Sequence, residues 1–330
     1  MKKNSIIGFV FIGVILIGFS WYNSKIYREQ EKVKTQMDSV ARVQAKAAME
    51  QMALDSASSL IAASDSTVSG DSSAVSSIYK DTSLVKASMA QEEFLTLEND
   101  KIKVEFTSKG AQTNKVEIKN YYTYDSLPLY IVKEKASKFS LVLFTNQEIA
   151  TDSFVFEKVQ STDTSVLYKL PSDEDSYIEY NYTLSKGSYL VGLDIRFVGM
   201  KEHIQKKVTT MDLHWVLDVP RLEKGYDNEK NYSSLLYKHP NSKDVESLGL
   251  RKESVEKDVR TKINWVAFQQ QFFSAIMVSG NNFNTGLLSY NIYPESDPDK
   301  NLMHCEANMQ VPYSVDEEVS MPFQFYYGPN

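Results

Sequence analysis

The sequence KIKVEF, residues Lys101 to Phe106, decides the fold class, because polar and apolar side chains alternate along it without a break. A period of two places its three apolar side chains on one face of an extended strand. Turn-forming residues lie on both sides, Glu98 to Asp100 before the stretch and Ser108 to Gly110 after it. The sequence therefore predicts a half-buried β-strand between two turns.

The same alternation recurs from Phe94 to Asn330, where no long helical period is found. No repeat of propeller-blade length is present, so a large antiparallel β-sandwich is predicted rather than a barrel or a propeller. Further strands are predicted at Phe139–Phe144, Phe154–Val159, Val166–Leu170, Tyr177–Leu184, Tyr189–Val198, Met211–Val219, Phe272–Val278, Gly286–Tyr290 and Val319–Tyr327.

Composition excludes several classes of protein. The 330 residues carry 36 basic and 43 acidic side chains, a formal charge of −7, whereas a protein that follows nucleic-acid phosphates normally has a basic excess. Cys305 is the one cysteine of the chain. A disulfide framework within the chain and a cysteine-based zinc cluster are therefore both excluded.

The N-terminus reads as a membrane anchor, assigned to residues 1–24. Residues 6–19 are all apolar or glycine, and 17 helical residues extend roughly 25 Å, enough for a bilayer core. A cleaved signal peptide is the alternative, but no small-residue cleavage pattern follows the run, so an uncleaved span is predicted. The anchor residues are Ile6, Ile7, Phe9, Val10, Phe11, Ile12, Val14, Ile15, Leu16, Ile17, Phe19, Trp21 and Tyr22.

A linker is predicted over residues 25–93, between the anchor and a β-domain at 94–330. Its first half is rich in helix-forming residues with a thin apolar stripe, which indicates a solvated partial helix or a short coiled coil. From Asp55 to Ala90, 18 of 36 residues are serine or alanine, and Tyr79 is the one aromatic residue. Such a segment buries little apolar surface, so it is expected to be disordered.

Motifs for catalysis or metal binding are weak. No two histidines have the short spacing of a metal site, and no phosphate-binding glycine loop or nucleophile elbow is present. Asp297, Asp299 and Asn301 match the first ligands of a calcium loop, but the glycine and the final glutamate of that loop are missing. No cofactor, metal or catalytic residue is predicted. The four histidines are His203, His214, His239 and His304.

One aromatic cluster stands out, and its members are Trp265, Phe268, Phe272 and Phe273. Two interpretations remain open. The cluster either forms a tight turn that leads into a core strand, or it forms an exposed surface that docks a protein partner.

Four stretches, taken in order, carry a resemblance to a known family. They are the opening Met1 to Gly8; Leu97 to Asp100 followed by Gly110; Trp265 to Phe273; and Phe325 to Pro329. Together they resemble the YidC family of bacterial membrane protein insertases.

The resemblance implies a span with its N-terminus in the cytoplasm, in the inner membrane, and a periplasmic β-supersandwich like that of galactose mutarotases. It implies five further helices after the Gly-Pro near the end, which carry the insertion groove and lie outside this chain. The chain would then be a non-enzymatic scaffold that docks the Sec translocon, SecDF, nascent membrane proteins and the lipid bilayer. The alternative is a membrane-anchored carbohydrate-binding or aldose-epimerase-like protein, whose chemistry needs a histidine acid and a glutamate base.

Overall fold

The computed structural model describes residues 82–146, 148–173 and 175–330, in which antiparallel strands predominate. In chain order the elements are α1 (Thr82–Met89), β1 (Phe94–Glu98), β2 (Ile102–Thr107), β3 (Gln112–Tyr122), β4 (Pro128–Val132), β5 (Ser137–Phe144), β6 (Glu148–Ala150), β7 (Glu157–Ser161), β8 (Ser165–Pro171), β9 (Tyr177–Leu184), β10 (Leu190–Val198), β11 (Thr210–Pro220), α2 (Tyr226–Asn231), β12 (Ser234–Lys238), β13 (Glu246–Gly249), β14 (Ser254–Val259), β15 (Ile263–Gln269), β16 (Phe273–Phe283), β17 (Thr285–Ile292), β18 (Asn301–Pro312) and β19 (Glu318–Pro329).

The strands form three sheets within the described residues. One has nine strands in the order β13-β12-β15-β16-β19-β10-β9-β8-β7, and one has six in the order β14-β17-β18-β11-β5-β6. The third has four strands in the order β1-β2-β3-β4. Neighbouring strands pair antiparallel, for example Leu193 opposite Tyr182 in β10 and β9. The prediction of a mainly β, antiparallel protein is confirmed.

The two larger sheets face each other across an aromatic core. Trp215 of the six-stranded sheet stacks on Phe268 of the nine-stranded sheet. Phe139 of β5 likewise makes an edge contact with Tyr180 of β9. Both pairs join inward side chains of opposite sheets, as in a β-sandwich.

Alternation explains why these strands form. In β9 the even-numbered residues from Ile178 to Leu184 are buried, and their odd-numbered neighbours are more exposed.

The four-stranded sheet joins the core through Phe106, whose ring centroid lies 4.5 Å from that of Tyr182. Gly110 ends the predicted turn with a φ of +71°, and a Cβ there would lie 3.0 Å from the Cα of Asp152.

The strand predictions differ from the structure in one start and in the strands that were missed, which are β4, β6, β12, β13, β14, β15 and β18. The strand predicted at Phe154–Val159 is wrong in its start, because a 3-10 turn at Thr151–Ser153 precedes Phe154 and β7 begins at Glu157. Phe154 is nevertheless buried, so its apolar character reflects core packing outside a strand. Among the missed strands, β18 is the most central, because it pairs with β11 and β17 in the middle of the six-stranded sheet.

Helix α1 lies inside the segment that the sequence analysis treated as a disordered linker. Leu84 and Ala87 of this helix are buried, and the carbonyl of Ala87 accepts a hydrogen bond of 2.8 Å from the amide of Val155. The prediction of disorder is therefore wrong for residues 82–89. Two apolar side chains at helical spacing are enough to attach a serine- and alanine-rich segment to a pre-existing core.

None of the helices in the described residues is long and apolar enough to cross a membrane. The span predicted at residues 6–22 lies outside the described residues.

Candidate functional site

The histidines do not converge on one site. His304 lies on β18, where its Nδ1 is 2.6 Å from Asp218 Oδ1 and its Nε2 is 3.0 Å from Glu306 Oε1. Tyr293 donates a hydrogen bond of 2.8 Å to the same oxygen of Asp218. Hydrogen bonding to Asp218 is the main cause that raises the pKa of His304 to about 8, and it also lowers the pKa of Asp218.

The other three histidines lie apart from this group. His203 contacts Asp173 at 2.8 Å, His239 contacts the carbonyl of Lys262, and His214 is half-buried on β11. Within the described part of the chain, no three His, Cys, Asp or Glu side chains are placed to hold a metal ion.

Cys305 and His304 point to opposite faces of β18, as neighbours on a strand must. The thiol of Cys305 is fully buried, and this burial raises its pKa well above the ordinary value. A thiol in this state is a poor nucleophile.

The predicted aromatic cluster is divided by the structure. Phe268 and Phe273 are buried in the core, and Trp265 is half-buried on β15. Phe272 lies in the turn between β15 and β16, with 51% of its surface exposed. The turn between β15 and β16 thus exposes Phe272, whereas Phe268 and Phe273 on the two strands pack into the core.

We group Phe272 with the exposed side chains of the β3–β4 hairpin, because that hairpin contacts the adjacent Phe273 through Tyr121, and we name the group the aromatic end. Its other members come from the β3–β4 hairpin, and Tyr122 is the most exposed of them at 67%. The members are Tyr121, Tyr122, Tyr124, Leu127 and Phe272. Exposed large apolar and aromatic side chains in such number are typical of an interaction surface.

Core contacts hold the aromatic end in place. The ring of Tyr121 packs edge-on against buried Phe273, with 5.2 Å between centroids. The amide of Tyr124 donates to the carbonyl of Leu222, and the amide of Asn330 donates to the carbonyl of Phe272. The hairpin, the Leu222 segment and the end of β19 therefore support one another.

A cavity of about 300 Å³ opens beside the aromatic end, and we name it the Arg221 cavity. Tyr124 and Leu127 belong to both features. Apolar walls are formed by Leu127, Pro128 and Leu222, and three cationic side chains also line it: Lys133, Arg221 and Lys300.

Glu229 of α2 fixes one wall of this cavity. Its carboxylate accepts hydrogen bonds from the amides of Leu222, at 2.9 Å, and Glu223, at 3.2 Å. The side chain is fully buried, and burial raises its pKa to about 7 against the opposing effect of these two amides.

Sequence reasoning missed most of this surface. The run from Tyr121 to Pro128 contains three tyrosines next to turn residues, and this signal could have marked an exposed hairpin. No local signal joins Lys133, Arg221 and Lys300, because they are far apart in the chain and only the folded sheets bring them together.

Comparison with known proteins assigns the family. Residues 95–330 match the family described as the YidC periplasmic domain. The chain belongs to this family. It is also 30% identical, over its whole length, to the membrane protein insertase YidC of Phocaeicola vulgatus and to that of Parabacteroides distasonis. The match covers 51% and 52% of those two proteins, so the chain spans about half the length of these YidC relatives.

Solved structures give more distant similarities to this YidC-family chain. A galactose mutarotase related enzyme from Lactobacillus acidophilus is 12% identical, with a TM-score of 0.46, over 71% of this chain and 97% of that enzyme. A galactose mutarotase-like protein from Lactobacillus casei is 11% identical, with a TM-score of 0.45, over 71% of this chain and the whole of that protein.

Proposed function

We propose that this chain is the membrane-anchored periplasmic part of a bacterial insertase and acts as a non-enzymatic scaffold and chaperone region. The family match over residues 95–330 carries this proposal. The relatives that match the whole chain are named membrane protein insertases, which supports the same role.

We propose that the anchor is the span at residues 6–22, with its N-terminus in the cytoplasm of an inner-membrane protein. A linker then leads to α1, and the sheets form a β-supersandwich in the periplasm. The unbroken apolar run without a small-residue exit supports retention of the anchor. N-terminal sequencing of membrane-purified protein is expected to begin before residue 24. A mature start beyond Ser24 would contradict the anchor.

We propose that the 330 residues dock partner proteins and do not by themselves insert proteins into the membrane. A polar segment that enters a bilayer needs a hydrated path, because an unsatisfied polar group in hydrocarbon costs several kcal/mol. One apolar span without charged side chains encloses no such path.

Depletion of the full-length insertase in cells tests whether this chain can insert membrane proteins by itself. Expression of this chain alone is expected to leave growth and the insertion of small membrane proteins unrestored, while the chain is stably present in the membrane. Restored insertion would overturn the scaffold role.

The aromatic end is proposed as the docking surface for nascent membrane proteins and for the Sec translocon with SecDF. Large exposed aromatic side chains on a rigid sandwich supply contact area at low entropic cost, which is typical of binding surfaces.

A photo-reactive phenylalanine at position 122 or 272 tests the surface in membrane vesicles. Adducts with Sec components or a radiolabelled nascent membrane protein are expected at both positions. Val245 is the matched control, because it is exposed and apolar but lies between β12 and β13. Equal adducts at all three positions would contradict a specific surface.

A further inference from the structure

The Arg221 cavity contains an arginine whose donors are not fully used. Arg221 Nη1 lies 3.3 Å from the carbonyl of Glu295. Its Nε is buried, and among the described residues it has no hydrogen-bond partner. The guanidinium makes no second side-chain hydrogen bond within the described residues, so its remaining Nη donors have capacity for an oxygen supplied by a ligand.

Lys133 adds positive potential but has little free capacity of its own. Its Nζ donates to the carbonyls of Asp299 and Lys300 and lies 3.4 Å from Oδ1 of Asn301. Burial is the main cause that lowers the pKa of Lys133, and Lys300 and Arg221 act in the same direction through their charges. Lys133 is therefore near enough to both of the other cations to be affected by their charges.

Lys300 lines the cavity with a partly exposed side chain. Its Nζ lies 3.3 Å from Oδ2 of Asp125, and both side chains are partly exposed. An ion pair of this kind is worth little, so a ligand anion can replace Asp125 as the partner of Lys300. Asp297 and Asp299 also lie close enough to raise the pKa of Lys133 through their charges, so they offset part of the positive potential there.

We propose that the Arg221 cavity binds a small ligand that carries one oxyanion, a carboxylate or a phosphate, on an apolar body. The oxyanion contacts the Nη donors of Arg221 and the Nζ of Lys300. The apolar body lies against Leu127, Pro128 and Leu222, where its contact with the walls removes apolar surface from water.

Calorimetric titration of the full 330-residue chain in detergent tests the proposal with three probes. Benzoate carries a carboxylate on an apolar ring, phenyl phosphate carries a phosphate on the same ring, and benzamide is the neutral isostere. Both anions are expected to bind more tightly than benzamide. Their relative affinities identify which oxyanion the cavity prefers. Benzamide binding as tightly as both anions, or no binding of either anion at millimolar concentration, would overturn the proposal.

Variants make the test specific. Arg221→Gln is expected to weaken binding of the preferred anion by about tenfold or more, because a hydrogen bond to a charged group is lost. Asp125→Asn is expected to strengthen it by roughly threefold, because a competing carboxylate is removed from Lys300. Lys257→Gln on exposed strand β14 removes the same charge elsewhere and is expected to leave binding unchanged.

The opposite effects of Arg221→Gln and Asp125→Asn separate ligand binding from a purely structural role. If Arg221→Gln does not fold, as judged by circular dichroism, Lys300→Gln replaces it and is expected to weaken binding. Unchanged affinity in the folded Arg221 or Lys300 variant would overturn the proposal. The titration does not depend on insertase function, so its outcome and that of the docking experiment are independent.

Discussion

The indole of Trp215 stacks on the ring of Phe268, with 4.1 Å between the ring centroids and 20° between the planes. The pair joins the centre of the six-stranded sheet to the nine-stranded sheet, and both side chains are buried. Phe325 extends the contact, with its ring centroid 5.9 Å from that of Trp215. The two sheets are therefore joined by aromatic side chains at their middle.

Phe268→Ala is expected to lower the free energy of unfolding by about 3–5 kcal/mol, because it removes buried surface and leaves a cavity. Urea denaturation followed by circular dichroism measures the change. Phe272→Ala is the matched control and is expected to stay within about 0.5 kcal/mol of the wild type, because Phe272 is exposed. Equal losses in the two variants would contradict the division of the aromatic cluster.

His304 is expected to make stability depend on pH above neutrality. Its two nitrogens face Asp218 and Glu306, so the charged ring donates to both carboxylates. The pKa is raised from 6.5 to about 8, so the stabilisation is complete below pH 6.5 and is lost as pH rises through 8.

The loss expected from His304 is at most about 2 kcal/mol, and solvent screening reduces it further. Urea midpoints at pH 6 and pH 9 measure it, and His304→Gln is expected to reduce the difference, while the part due to Glu229 remains. A variant whose stability follows the same pH curve as the wild type would refute the assignment.

Glu229 is expected to make the free energy of unfolding fall as pH rises, in a lower pH range than His304. Its pKa is raised from 4.5 to about 7 in the folded protein, so folding favours the protonated form. This contribution is complete below pH 4.5 and declines as pH rises to 7, by on the order of 3 kcal/mol. Glu229→Gln keeps an acceptor for the Leu222 amide and is expected to remove the decline in unfolding measurements between pH 4.5 and 7.

Limited proteolysis is expected to place the start of the folded domain before α1. Leu84 and Ala87 are buried, and Ala87 is hydrogen-bonded to Val155, so the helix is protected. Mass spectrometry of the resistant fragment is expected to find its N-terminus before Thr82. Leu84→Ala is expected to move the cleavage into the helix, whereas Met89→Ala, at an exposed position, is not. A fragment of the wild type that begins near Phe94 would show that the helix is not part of the domain.

Strands were predicted well where apolar and polar residues alternate clearly, as in β9, because one face of the strand is buried and the other faces solvent. Strand β18 was missed, although buried Cys305, Ala307 and Met309 alternate there with more polar neighbours. Cysteine, alanine and methionine are not strong strand formers, so the alternation in β18 was not recognised as a strand.

The candidate surface was predictable only in part. Phe272 was named with its cluster, but no pattern distinguished it from Phe273, since the turn that exposes one and buries the other depends on β15 and β16 pairing. The Arg221 cavity is formed by three segments that meet only in the folded protein, so the local sequence pattern could not predict it.

The burial of Cys305 has a practical consequence for experiments on the surface. Maleimide reagents need an accessible thiolate, and this thiol is both enclosed and disfavoured as an anion. Since the chain has one cysteine, a second one placed at Tyr122 or Val245 is expected to accept a fluorophore or spin label alone in the folded protein. Site-directed labelling can therefore proceed on the native background, without a substitution in the core.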